Sequence, residues 1–146
     1  MAYKGTFKPK NPQKYRGDPT KIIYRSRWEL MVMQKFDSHP DILEWSSEEI
    51  IIPYISPIDN RRHRYFPDFY MKKRNPDGTI ENVIIEVKPF AQTKPPTVQN
   101  KPNRRYITEV QTWGINSAKW KNAEAYCEDR GWKFQIITEK DLGLTF

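Results

Sequence analysis

The sequence predicts an α/β fold: a helix, three strands joined by hairpins, a further helical stretch and a last strand, closing a mixed central sheet. Two observations predict it. Apolar residues recur at helical spacing in two places, Trp28-Met31-Val32-Phe36 and the run from Tyr106 to Tyr126, on either side of a β-rich block. Within that block turn signals separate the runs, the sharpest being Asn75-Pro76-Asp77-Gly78. A chain of 146 residues with five Trp, eight Tyr and seven Phe can build one domain with its own core.

Residues 1–20 read as a basic arm ahead of a single domain over 21–146. Lys4, Lys8, Lys10, Lys14 and Arg16 charge it, and Pro9, Pro12 and Pro19 oppose regular structure. Its rings, Tyr3, Phe7 and Tyr15, can stack on bases or dock on the domain, and a solvated tail is the equal alternative. Ser26-Arg27-Trp28-Glu29 fits a capping box, and the helix behind it should end near Ser38, before Pro40. Ile50 to Ile55 predicts a strand, with Pro53 at an edge or bulge. A turn at 59–62 leads to a strand from His63 to about Met71. The third strand, about Ile80 to Lys88, is centred on Val83-Ile84-Ile85-Glu86-Val87, as a central strand requires.

Pro89 to Pro102 reads as a long polar loop. Helical character resumes near Arg104; Gly114 is expected to interrupt it, with Asn116 or Ser117 capping a second helix. Gly131 suits a left-handed cap, Trp132 to Thr138 a last strand, and the remainder a helical turn.

Composition narrows the function. Twenty-five Lys and Arg against 18 Asp and Glu leave +7, which favours a polyanionic partner, nucleic acid first. No run approaches the roughly 18 apolar residues of a membrane span, and the N-terminus lacks a secretory apolar stretch. Cys127, His39 and His63 cannot make a disulfide framework or a Cys/His zinc site. A soluble protein of a reduced compartment is expected.

One segment carries chemistry: Tyr65-Phe66-Pro67-Asp68-Phe69-Tyr70, a hairpin, then Ile84-Ile85-Glu86-Val87-Lys88. Residues two apart on a strand share a face, so Glu86 and Lys88 project together, and the hairpin brings Asp68 toward Glu86. Converging carboxylates on apolar strands call for a positive charge between them. Mg²⁺, with Mn²⁺ as a substitute, suits such oxygen ligands, and the carbonyl of Val87 can add one more. A surface charge at Asp68 and an exposed Glu86–Lys88 ion pair are the plainer alternatives.

Pro67-Asp68…Glu86-Val87-Lys88 resembles the signature of the PD-(D/E)xK nuclease superfamily, whose restriction-endonuclease-like core has this order of elements. Ser26-Arg27-Trp28-Glu29, Tyr65 to Phe69, Ile85 to Pro89 and Ile137-Thr138-Glu139 resemble the endonuclease subunit of heteromeric bacterial transposases. Lys14 to Pro19 with Tyr24-Arg25-Ser26, Gln92 to Pro96, Trp120-Lys121 and Arg130 to Phe134 are similar to the head completion nucleases of T-even-like tailed bacteriophages. That likeness spans nearly the whole chain. It implies that Asp68 and Glu86 bind Mg²⁺ and that Lys88 orients or deprotonates the attacking water. Glu29 matches the helix glutamate that completes the acidic cluster, although it is also the capping-box partner of Ser26.

The resemblance further implies a phage protein of the host cytoplasm or the virion, processing packaged DNA before tails attach and meeting head or neck proteins. Candidate phosphate contacts are Lys14, Arg16, Arg61, Arg62, Arg64, Lys94, Lys101, Arg104 and Arg105. These position DNA without reading its sequence. The rival readings are a transposition or repair endonuclease of the same superfamily, and a non-catalytic DNA-binding head or neck protein.

Overall fold

A computed structural model describes residues 4–101 and 103–141; Tyr3, Pro102 and the end of the terminal turn lie outside the described residues. Strands β1 (Gly5–Thr6) and β2 (Ile23–Tyr24) pair ahead of helix α1 (Arg27–Ser38). Then come β3 (Ile42–Ser47), β4 (Ile52–Ile55), β5 (Arg62–Tyr65), β6 (Phe69–Arg74) and β7 (Ile80–Val87). Helix α2 (Arg104–Arg130) and strand β8 (Lys133–Ile137) complete the described fold.

The central sheet runs β3-β6-β7-β8, antiparallel except for the parallel β7–β8 pair that α2 makes possible by crossing over. The result is a mixed sheet between two helices, consistent with a restriction-endonuclease-like core. Side chains alternate across it. Phe69, Met71, Val83 and Ile85 pack with Val32, Met33 and Phe36 of α1 on one face. Ile84, Phe134 and Ile136 pack with Trp120, Ala123 and Cys127 of α2 on the other.

Local chemistry explains the ends of the elements. The Ser26 hydroxyl accepts the Glu29 amide at 3.1 Å, and α1 stops where His39 turns extended ahead of Pro40. Asn103 caps α2, and Gly131 closes it at φ 69°, a left-handed conformation that costs glycine nothing. The 75–78 turn joins β6 to β7, as its residues predict.

Three expectations need correction. The first strand of the central sheet is Ile42–Ser47, not Ile50–Ile55; β4 pairs with β5 in a separate two-stranded ribbon. The ladder from β5 into β6 is interrupted at 66–68, where Pro67 has no N–H to give it. Gly114 does not interrupt α2. A continuous helix buries Asn116, Trp120, Ala123 and Cys127 on one side, which outweighs the roughly 1 kcal/mol cost of glycine.

Finally, the described part of the N-terminal segment lies against the domain. Phe7 and Tyr15 are each 8% exposed and stand edge-on to the Trp45 ring at 5.9 and 4.7 Å. The Asp37 carboxylate accepts the amides of Lys10 and Asn11 at 2.8 and 3.0 Å. Of the roles open to Phe7 and Tyr15, docking is the one they adopt.

Candidate active site

The break at Pro67 creates the site. The chain leaves β5 at Tyr65 and re-enters the sheet at Phe69, which leaves Asp68 at the joint. Its carbonyl accepts the amide of Glu48 at 3.1 Å. Glu48 holds φ at 54°, a left-handed conformation uncommon outside glycine, and its side chain pairs with Arg25. The β6–β7 register pairs Phe69 with Ile85, so one further step sets Asp68 opposite Glu86. Alternation along β7 puts Ile84, Glu86 and Lys88 on the α2 face, and the Lys88 amide extends the ladder by donating to the Ile137 carbonyl at 2.9 Å.

The two carboxyl groups lie within reach of sharing a proton, and the Val87 amide donates to Asp68 Oδ2 at 2.7 Å. Burial first, then the charge of Glu86, pushes the Asp68 pKa up to about 8 despite the bond from Val87. Such a pair asks for one proton or one cation. Val87 thus meets Asp68 through its amide, a contact separate from the metal-ligand role expected of its carbonyl.

Around the pair is a cavity of about 380 Å³. Three acids line it, Glu29, Asp68 and Glu86, and three cations, Arg64, Lys88 and Lys119; Trp28, Tyr65 and Phe66 supply aromatic wall. Glu29 comes from the first turn of α1. Burial raises its pKa, the Arg25 backbone bond opposes that, and its carboxylate stands 3.4 Å from the Ser26 hydroxyl. Among the described residues no three His, Cys, Asp or Glu side chains form a ready-made metal cage. Asp68 and Glu86 converge, and Glu29 lines the same cavity without closing on them.

The candidate phosphate contacts scatter. Arg64 reaches the cavity, its guanidinium 5.8 Å from the Phe66 ring centroid. Arg61 and Arg62 are exposed on the β4–β5 hairpin, and Lys101 and Arg104 are exposed near the start of α2. Lys94 lies 4.7 Å from the Phe90 ring centroid, Arg16 lies 5.6 Å from that of Tyr70, and Arg105 pairs with Glu109. Half-exposed Lys14 is engaged by the protein's own backbone: its ammonium donates to the carbonyls of Asp37 and His39 at 3.0 and 2.8 Å.

Three further residues shape the site without having been assigned a role in it from the sequence, although Tyr65 and Glu139 lie in segments that carry the family resemblance. Lys119 falls within the helix expected after Gly114, but no local signal says that its side chain reaches the cavity formed by the sheet acids. Tyr65 sits beneath the acids, its hydroxyl buried beside Glu86 without a well-formed hydrogen bond, and burial with the neighbouring carboxylates keeps it protonated. Glu139 accepts the Phe90 amide at 2.9 Å, fixing the chain just past Lys88 to the end of β8. The alternation of β5 could have flagged Tyr65; Glu139 is marked by its motif, but its bond to Phe90 is a long-range contact that the motif does not contain.

A sequence profile described as TnsA-like endonuclease N terminal matches residues 39–139. The chain belongs to this TnsA-like endonuclease family. The matched span holds Asp68, Glu86, Lys88 and Lys119 but starts after α1, so Glu29 lies outside it. The chain is also similar to the head completion nuclease of Enterobacteria phage T4, with 42% identity over 146 residues, 97% of this chain and 95% of the relative. No solved structure matches. For a TnsA-like endonuclease domain, a carboxylate pair at the end of two central strands is chemistry placed where a polyanion can reach it.

Proposed function

We propose that this protein is a Mg²⁺-dependent nuclease that hydrolyses DNA phosphodiester bonds with little sequence preference, acting in phage head completion before tails join. The observation that carries this reading is the Asp68–Glu86 pair, Glu86 buried and Asp68 half-buried, mutually repelling and open to a polar cavity. Its donor set of hard oxygens fits Mg²⁺, with Mn²⁺ as a substitute. The near-full-length similarity to the T4 head completion nuclease supports the setting: host cytoplasm or virion, with head or neck proteins as neighbours.

In this reading Asp68 and Glu86 hold the ion, Glu29 adds negative charge nearby, and Val87 fixes Asp68 through its amide. When bound, the ion lowers the pKa of the attacking water and offsets charge on the phosphate. Lys88, on the same strand face as Glu86, orients that water and stabilises the charge that builds as the phosphorus–oxygen bond forms. Arg64 holds DNA at the cavity mouth. The PD-(D/E)xK pattern is thus a full working set.

A transposition or repair endonuclease would use the same residues, and the TnsA-like match favours it as a second reading. Capsid and tail genes beside the coding sequence support head completion; a transposase gene there supports the rival. A purely structural DNA-binding protein gains nothing from a costly carboxylate pair. Purified protein incubated with linear and circular DNA should cut with Mg²⁺ or Mn²⁺ and stop with EDTA. Intact DNA under all these conditions would overturn the reading.

A further inference from the structure

Lys119 enters the acidic cavity from α2, whereas Asp68, Glu86 and Lys88 enter it from the sheet. The helix is firmly seated there, with Trp120 and Ala123 only 8% and 0% exposed. Position 119 lies about 100° round the helix from Trp120. On that flank it meets the β4–β5 ribbon, and its ammonium stands 5.5 Å from the Tyr65 ring centroid and 5.8 Å from that of Tyr54. Ring faces align a cation without neutralising it. Among the described residues Lys119 forms no ion pair. It is thus a half-buried, oriented positive charge that the protein's own carboxylates leave free.

The cavity supplies the reason for such a charge. A DNA phosphate approaching Asp68 and Glu86 is repelled by both, and a divalent cation offsets only their charge. Lys88 is committed to the water side of the reaction. We propose that Lys119 is a phosphate-holding residue: its ammonium, aligned over Tyr54 and Tyr65, donates to a non-bridging oxygen of the phosphate presented to the carboxylate pair. The consequence rests on the nuclease reading, because holding that phosphate beside the acids matters only if it is cut. The same contact makes α2 a working wall of the site as well as a structural one.

Two variants separate this role from packing. Lys119→Met keeps an aliphatic stem over the rings and loses the charge; Lys119→Arg keeps the charge. Binding of a short labelled duplex is followed against salt with Ca²⁺ in place of Mg²⁺, and cleavage and melting temperature are measured alongside. Lys119→Met should bind with a slope shallower by about 0.9 log units per log unit of salt, one phosphate's share. Its kcat/KM should fall at least about tenfold, equivalent to roughly 1.4 kcal/mol, with its melting temperature unchanged. Lys119→Arg should restore the slope and most of the cleavage. A wild-type slope in Lys119→Met would overturn the proposal. So would lost cleavage that tracks a lowered melting temperature and is not rescued by Arg. Wild-type protein that binds but never cuts would refute the nuclease reading instead, and the slope would still judge Lys119.

Discussion

Asp68 connects stability to chemistry. Its folded pKa near 8 lies far above the roughly 3.9 of an unfolded Asp, so between these values the native state holds a proton that the unfolded state lacks. Without metal, stability should therefore fall as pH rises from about 4 to 8. Asp68→Asn retains an oxygen for the Val87 amide and carries no charge. It should melt several degrees above wild type at pH 8 in EDTA, with the gap closing toward pH 4, as scanning calorimetry across pH would show. Glu29 invites a different substitution. Gln can serve the capping box, but it lacks the charge that attracts a cation. Glu29→Gln is expected to keep its melting temperature while cleavage drops at least about tenfold. Normal cleavage with Gln, together with lowered stability in Glu29→Ala, would return Glu29 to capping alone. The Asp68–Glu86 convergence was readable because alternation and one hairpin turn fix it locally. The place of Lys119 in the same cavity was not, because it depends on how α2 packs across the sheet.

Helix α2 shows where local propensity misleads. Gly114 reads as a breaker, yet Trp113 before it and Ile115, Ala118 and Trp120 after it join one cluster, with Trp113 edge-on to Trp120 at 6.0 Å. Ile107 and Val110 further back stay exposed. A Cβ at position 114 would stand 3.5 Å from Pro57 Cγ, an ordinary contact. Gly114→Ala should accordingly stabilise the helix by about 0.8–1 kcal/mol and raise the melting temperature by roughly 3 °C. A fall would mean that Pro57 has no room to adjust. The strand block was misread for a related reason. Ile52–Ile55 has the stronger β composition, but Ile42–Ser47 carries Trp45, which is fully buried among Phe7, Tyr15, Phe36 and Phe69. Long-range aromatic packing chose the strand, and a window of a few residues does not contain it.

For the molecule as a whole, the +7 charge was readable at once, but its distribution was not. The N-terminal lysines read as a basic arm whose rings could stack on bases, dock on the domain or stay solvated; Phe7 and Tyr15 dock and close the core, and Lys14 caps backbone carbonyls. Removing residues 1–14 should therefore destabilise the fold before it reveals anything about DNA. The ribbon carrying Arg61 and Arg62 is the better test of electrostatic binding, since both residues are exposed. Replacing both with Ala should leave the melting temperature unchanged and flatten the salt dependence of duplex affinity by up to about 1.8 log units per log unit of salt. An unchanged slope would remove the ribbon from the DNA path.

The central claim is that Asp68 and Glu86 form the centre at which DNA is cut. The most direct measurement compares wild-type protein and Asp68→Asn on the same end-labelled linear DNA with Mg²⁺, at a temperature where both are folded. The account predicts steady cleavage by wild type and none above background by Asp68→Asn, with duplex affinity at least as high in the variant because one repulsive charge is gone. Cleavage by Asp68→Asn at the wild-type rate would contradict it.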